Sequence, residues 1–166
     1  MSVRLWLVRH GTTDWSDAGR LLGWTDVALN VNGRRQARAL REGLSGGVFA
    51  SVWSSDLIRA TETANLAAGG ATADERLREL NFGELEGKHW DECSPFIQQR
   101  LLFFDEFAAP GGESVCELQI RVLDFTAGLH EGEHLLFTHG GVIRALLRHA
   151  GRDARVPPGA VEQVVL

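Results

Sequence analysis

The chain has 166 residues, 44 % of them apolar and 23 % charged, which is the make-up of one ordinary soluble domain large enough to bury a core. A formal net charge of −5 argues against a general nucleic-acid or membrane-surface binder, and no apolar run approaches the roughly 18 residues of a membrane span. Cys93 and Cys116 stand in no CxxC or Cys/His metal spacing, and the N-terminal residues lack the charged and long apolar regions of a signal peptide, so a reduced, cytoplasmic protein is expected.

Apolar, β-rich runs alternate with stretches of helical period. This predicts a single α/β domain over 1–166, a three-layer α/β/α sandwich with a mostly parallel central sheet. "VRLWLV" (Val3 to Val8) is the first strand, and "NVNGRRQARALREGL" is a helix capped by Asn30 or Asn32 that stops toward "SGG". "VFASVWSS" (Val48 to Ser55) is a second strand, followed by the helix "SSDLIRATETANLAAGG" with a Ser start and a Gly-Gly stop. "SPFIQQRLLFFDEF" opens on the cap Ser94 and on Pro95 at the first helical position, and carries Phe96, Leu101, Phe103, Phe104 and Phe107. In "SVCELQIRVLDFTAGL", Ser114 and Glu117 form a capping box, while Val115, Leu118, Val122, Phe125 and Leu129 fall on one face. "HLLFTH" (His134 to His139) is the third strand, "GGVIRALLRHAG" a helix ending at Gly151, and "AVEQVVL" a fourth strand.

Ligands of open α/β sheets bind beyond the carboxyl ends of strands. There the first strand delivers Arg9, His10 and Gly11; the second delivers Ser54, Ser55 and, one helical turn on, Arg59; the third delivers Thr138, His139, Gly140 and Gly141. If these strands are neighbours, two imidazoles and two guanidiniums meet at one edge, with glycines that let backbone N–H groups approach a ligand. That set suits a phosphate monoester, which carries close to two negative charges. Guanidiniums grip its oxygens, one neutral imidazole attacks phosphorus, and the other stabilises charge on the transferring group. The departing alkoxide needs an acid. The segment "DERLRELNFGELEG" offers Asp74, Glu75, Glu79, Glu84 and Glu86, and spacing alone does not choose among them.

These motifs together resemble the histidine phosphatase superfamily, the phosphoglycerate-mutase-like family, over nearly the whole chain. "LVRHGTTDW" is similar to its N-terminal signature, "GWTDVALNVNGRRQA" to the loop and helix after it, "SSDLIRATETA" to the second phosphate-binding Arg segment, "LRELNFGELEG" to the acid segment and "THGG" to the second-His segment. The resemblance implies that His10 is the phosphorylated nucleophile, that Arg9, Arg59 and His139 hold the phosphoryl group, and that Glu79 is the proton donor. Thr12, Ser16, Gly23 and Gly140 are implied as further phosphate or substrate contacts. No metal and no cofactor is implied, the expected partner is a small-molecule phosphate monoester, and a homodimer is allowed.

The pattern departs from many members at Thr12, where they carry Glu, at Ser16, where they carry Asn, and at Leu85, where Trp is common; Trp90 lies close enough in sequence to fill part of that space. Only "KHWDECSPFIQQRLLFFDEFAAP" separates Gly87 from Gly111, too little for the arginine-bearing insertion of the mutases. A hydrolase is therefore expected, and "PGGESV" with the compact size resembles the α-ribazole phosphatase branch, which acts on a cobalamin-precursor nucleotide. A mutase-type phosphoryl transferase and a catalytically silent phosphate-binding relative are the alternatives. Elsewhere plainer roles are expected. His89, His130, His134 and His149 are surface or satisfied residues, Arg34, Arg35, Arg38 and Arg41 form a solvated helix face, and Trp6 and Trp53 are core. Trp15 and Trp24 lie near the proposed site, and the Phe/Leu stripe after Ser94 is core before it is a cleft wall.

Overall fold

The computed structural model describes residues 2–166. In chain order its elements are β1 (Val3–Arg9), α1 (Asp14–Asp17), α2 (Val31–Leu44), β2 (Ser51–Ser54), α3 (Ile58–Ala68), β3 (Thr72–Ala73), α4 (Pro95–Phe103), α5 (Val115–Ala127), β4 (Gly132–Thr138), α6 (Gly140–His149) and β5 (Val161–Val165), with short 3₁₀ turns at Glu75–Leu77, Gly83–Leu85 and Trp90–Glu92. The strands form one sheet in the order β3-β2-β4-β1-β5. All neighbours are parallel except β5, which runs antiparallel along β1.

Alternation along the central strands sends side chains to two faces, and each face has its own core. Leu5, Leu7 and Leu136 pack with Leu118, Val122 and Phe125 of α5 and with Val142, Ile143 and Leu146 of α6. Val8, Leu135 and Phe137 point the other way, onto Leu44, Ala64 and Ala67 from α2 and α3. The result is the expected three-layer sandwich. Each fully buried Leu contributes about 1.5–3 kcal/mol of transfer free energy, and Leu5, Leu7, Leu118 and Leu136 are all completely enclosed.

The helix ends follow local chemistry in most cases. Asn30 caps α2 by accepting from Gly33 N, Ser94 caps α4 by accepting from Ile97 N, and Ser114 and Glu117 close the expected box on α5. Three boundaries and two short elements differ from expectation. The β2 ladder starts at Ser51, because Val48 is 90 % exposed and Phe49 leaves the strand path to pack edge-on against Trp6. Next, α3 starts at Ile58 rather than at a serine: Ser54 stays in β2, the Ser55 hydroxyl accepts from Leu57 N, and the Ile58 amide is capped from a distant loop by Asp26 Oδ1 at 2.7 Å. The aromatic helix stops at Phe103, where Phe104 turns to φ 53°. Finally, α1 and β3 carry no apolar period to announce them. The first rests on a reciprocal Thr13–Ser16 cap, and the second exists only through pairing with β2.

Candidate active site

The register of the parallel ladder sets the site. Arg9 at the end of β1 lies opposite Thr138 at the end of β4, so His10 and His139 leave the sheet at the same level. Their rings are 5.1 Å apart in an edge-on arrangement. Both imidazoles are buried, as is Arg59, which rises from the first turn of α3. The His10 loop is held against α2 and α3: a Cβ on Gly11 would overlap the Gly33 backbone, and Gly11 N donates to Thr63 Oγ1 at 3.1 Å.

His10 Nδ1 lies 2.6 Å from the Gly11 carbonyl. A carbonyl only accepts, so Nδ1 carries the proton and Nε2 presents its lone pair. Burial, and then the charges of Arg59 and Arg9, hold the His10 pKa well below the usual histidine value, against a smaller opposing effect of the Gly11 carbonyl. His139 is lowered in the same way by burial, Arg59, His10, Arg9 and Arg121. Both rings are thus neutral near pH 7, the state a nitrogen nucleophile needs.

The two arginines are fixed from behind. Arg9 Nη1 donates to the Val156 carbonyl at 2.6 Å, and Arg59 donates through Nη1 to Thr25 O at 3.0 Å and through Nη2 to Gly23 O. Burial lowers the Arg59 pKa to about 10, opposed by Glu79, Glu86 and Asp26, which leaves it fully cationic. Among the described residues, four buried side-chain nitrogens have no hydrogen-bond partner: Arg9 Nε, Arg59 Nε and both ring nitrogens of His139. Buried polar groups are nearly always paired, and here the exceptions converge on His10. A multivalent anion satisfies such a cluster.

Glu79 is the one member of the five-carboxylate set that lines the cavity next to this cluster. Its two carboxylate oxygens each accept from Gly141 N at 3.1 Å, and Oε1 also accepts from Leu80 N at 2.8 Å. The Gly141 amide sits at the start of α6 and fixes the position of the Glu79 side chain. The other four lie elsewhere: Asp74 caps a 3₁₀ turn and pairs with Arg76, Glu75 and Glu84 are exposed or half-buried away from the cavity, and Glu86 accepts from Gly23 N and Trp24 N.

Of the remaining expected contacts, Gly140 lies against the Arg9 guanidinium, and Gly23 turns its carbonyl to Arg59. The Thr12 hydroxyl is engaged by Asn30 and Asn32, and the Ser16 hydroxyl by the Thr13 backbone. Three positioning roles were not assigned from the sequence. Trp24 Nε1 and Arg121 Nη2 both donate to the Glu79 carbonyl, at 2.7 and 2.9 Å, and Glu86 clamps the loop that seats Arg59. The sequence places Trp24 near the site and offers Glu86 only as one of five candidate acids, whereas Arg121 leaves a trace only as a charge among the apolar positions of α5, where it follows Leu118 by three. Trp15 packs on Gly87. His134 is satisfied at both ring nitrogens, by Ser51 and His130.

Beside Arg9, Glu79 and Gly140 opens a cavity of about 200 Å³, walled by Leu21, Leu80, Phe82, Trp90, Leu101 and Phe104. The aromatic segment therefore divides: Leu101 and Phe104 face the cavity, Phe107 joins the core, and Phe96 and Phe103 are 65 % and 60 % exposed. No group of three or more His, Cys, Asp or Glu side chains is placed to hold a metal ion, and no helix is long and apolar enough to cross a membrane, among the described residues.

What the sheet assembles is an α/β domain of the phosphoglycerate-mutase-like fold, with a cationic, two-imidazole pocket at its carboxyl edge. A family model, "Histidine phosphatase superfamily (branch 1)", matches residues 5–159, and the chain belongs to that family. A phosphoglycerate mutase from Thermus thermophilus shares 47 % identity and superposes with a TM-score of 0.91, covering 98 % of this chain and 96 % of that one. An Escherichia coli K-12 protein named as a candidate alpha-ribazole-5'-P phosphatase is 27 % identical with a TM-score of 0.83, covering 99 % of this chain and 91 % of that one. A metal-independent phosphoserine phosphatase of Arabidopsis thaliana is 37 % identical over 155 residues, 84 % of this chain and 65 % of that protein.

Proposed function

We propose that the protein is a metal-independent phosphomonoesterase that works through a phosphohistidine. The observation that carries this reading is the set of four unpaired buried nitrogens on Arg9, Arg59 and His139 around a neutral, Nδ1-anchored His10. In the first step His10 Nε2 attacks phosphorus, the P–O bond to the alcohol breaks, and Glu79 gives its proton to the leaving oxygen. In the second step water attacks the phosphoryl group, Glu79 takes a proton from it, and inorganic phosphate leaves with His10 restored. The N–H groups of Arg9, Arg59 and His139 stabilise the equatorial oxygens in both transfers.

The mutase alternative draws on relatives named phosphoglycerate mutases; it requires that the phosphoryl group return to an alcohol rather than to water. For α-ribazole 5′-phosphate the support is the "PGGESV" segment, the compact chain and one neighbour at 27 % identity. The deciding experiment is a turnover panel of α-ribazole phosphate, phosphoserine, phosphoglycerates and sugar phosphates in chelator, with acid-quench trapping of phosphoenzyme. Release of inorganic phosphate, a trapped phosphohistidine and loss of both in His10→Ala are expected. The barrier should rise by more than ~4 kcal/mol, about a thousandfold in rate. Full activity in His10→Ala overturns the reading, and interconversion of phosphoglycerates without phosphate release establishes the mutase. Tight vanadate binding with no turnover establishes the silent relative.

A further inference from the structure

Three arginines line the cavity beside Glu79, and their situations differ. Arg9 belongs to the phosphoryl cluster. Arg144 is spent on structure: it is bidentate to Asp153 at 2.7 and 3.0 Å and also donates to the carbonyls of Leu101 and Leu102. Arg155 lines the same cavity from an exposed position, with no carboxylate paired to it among the described residues. The chain as a whole is acidic, at −5, so an unpaired cation at the rim of an apolar cavity runs against the general charge balance. Phe82, Trp90, Leu101 and Phe104 line the same cavity as Arg155 and Glu79.

We infer that this cavity is the leaving-group subsite and that Arg155 selects phosphate esters of compact alcohols having an apolar body and an anionic group, such as a carboxylate, within reach of its guanidinium. The inference rests on the phosphomonoesterase reading for its chemistry, but its recognition element stands apart from the phosphoryl cluster. Glu79 lines the cavity together with Arg9 of the phosphoryl cluster, so the alcohol oxygen departs into it and its apolar walls receive the body behind that oxygen. A cavity of about 200 Å³ falls below the roughly 300–1,000 Å³ of drug-sized ligand sites, so the alcohol it receives is small. Polar, neutral bodies gain little from such walls. An anionic terminus gains a charge-assisted contact with a guanidinium whose surroundings are partly apolar and therefore screen it less than open water does.

Binding of non-hydrolysable phosphonates tests this without turnover. Methylphosphonate, benzylphosphonate and 4-carboxybenzylphosphonate are titrated calorimetrically into the protein and into Arg155→Ala and Arg155→Lys. Benzylphosphonate should bind at least tenfold more tightly than methylphosphonate, through the walls. The carboxylated ligand should bind about three- to fivefold more tightly again, the span of an exposed ion pair. Arg155→Ala should bring the carboxylated ligand to the affinity of the plain one, and Arg155→Lys should keep part of the preference. No preference for the benzyl body, no preference for the carboxylate, a preference that survives in Arg155→Ala, or failure of the phosphonates to bind would each overturn the inference. The preferences without hydrolysis of the matching phosphates would sink the phosphatase reading and leave the subsite standing, whereas hydrolysis without the preferences would do the reverse.

Discussion

Glu79 is placed by the backbone beneath it, since both its oxygens accept from Gly141 N and a Cβ at Gly141 would collide with Oε1. That close approach is the physical reason for glycine at this position. Gly141→Ala displaces the carboxylate, and the loss falls on esters whose leaving oxygen needs a proton. Its turnover of alkyl phosphates should drop about a hundredfold, the lower end of what general acid catalysis contributes, while aryl phosphates are largely spared. Glu79→Gln should show the same split with the side-chain position unchanged. Steady-state kcat on matched alkyl and aryl esters checks both, and equal slowing of the two ester classes would assign the proton to another group.

Among the elements, α3 carries Arg59 yet borrows its cap: Leu57 offers no side-chain acceptor, and Asp26, 32 residues earlier, receives the Ile58 amide. Asp26→Ala should cost about 1 kcal/mol and lower Tm by about 2–4 °C. Because Asp26 is also a negative charge near Arg59, which stays cationic without it, phosphate affinity should rise slightly. Ser114→Ala removes the cap of α5 at a similar cost in Tm and with no change in phosphate affinity, because that helix end lies outside the anion cluster. Thermal melts with and without phosphate separate the two cases. The contrast also marks what could be read in advance. The α5 helix has its cap, its box partner and its apolar face within one stretch of sequence, and so was legible. The start of α3 and the whole of β3 depend on residues distant in sequence, and so were not. His10, His139, Arg9 and Arg59 were legible because each ends or follows a recognisable element. The carbonyls of Gly23, Thr25 and Val156 that seat the arginines were not, since any residue type supplies a carbonyl.

For the whole molecule, two neutral buried histidines couple stability to pH. In the unfolded chain they titrate near 6.5, while in the fold both stay unprotonated well below that value. The unfolded state therefore binds more protons as pH falls through about 6.5, and unfolding becomes easier. The slope approaches about 1.4 kcal/mol per pH unit for each histidine. Urea midpoints measured from pH 7 to 5 should decline accordingly. His139→Asn should remove about half the slope, and bound phosphate should flatten it, because an anion among these groups favours their protonation. A pH-independent midpoint in this window would mean that the imidazoles titrate in the fold as they do in the unfolded chain.

The strand that leads into His10 has both its ladder partners more than a hundred residues later in sequence. β1 lies between β4 and β5, and neither follows it closely in sequence. Such non-local pairing makes assembly slow, since loop closure must precede the contacts that reward it. On a ribosome β1 emerges before either partner and waits unpaired while more than a hundred residues are made, its apolar face open to wrong partners or to a chaperone. His10 and His139 therefore cannot meet until β4 has been made, and the site assembles only after the whole span between the two strands is out.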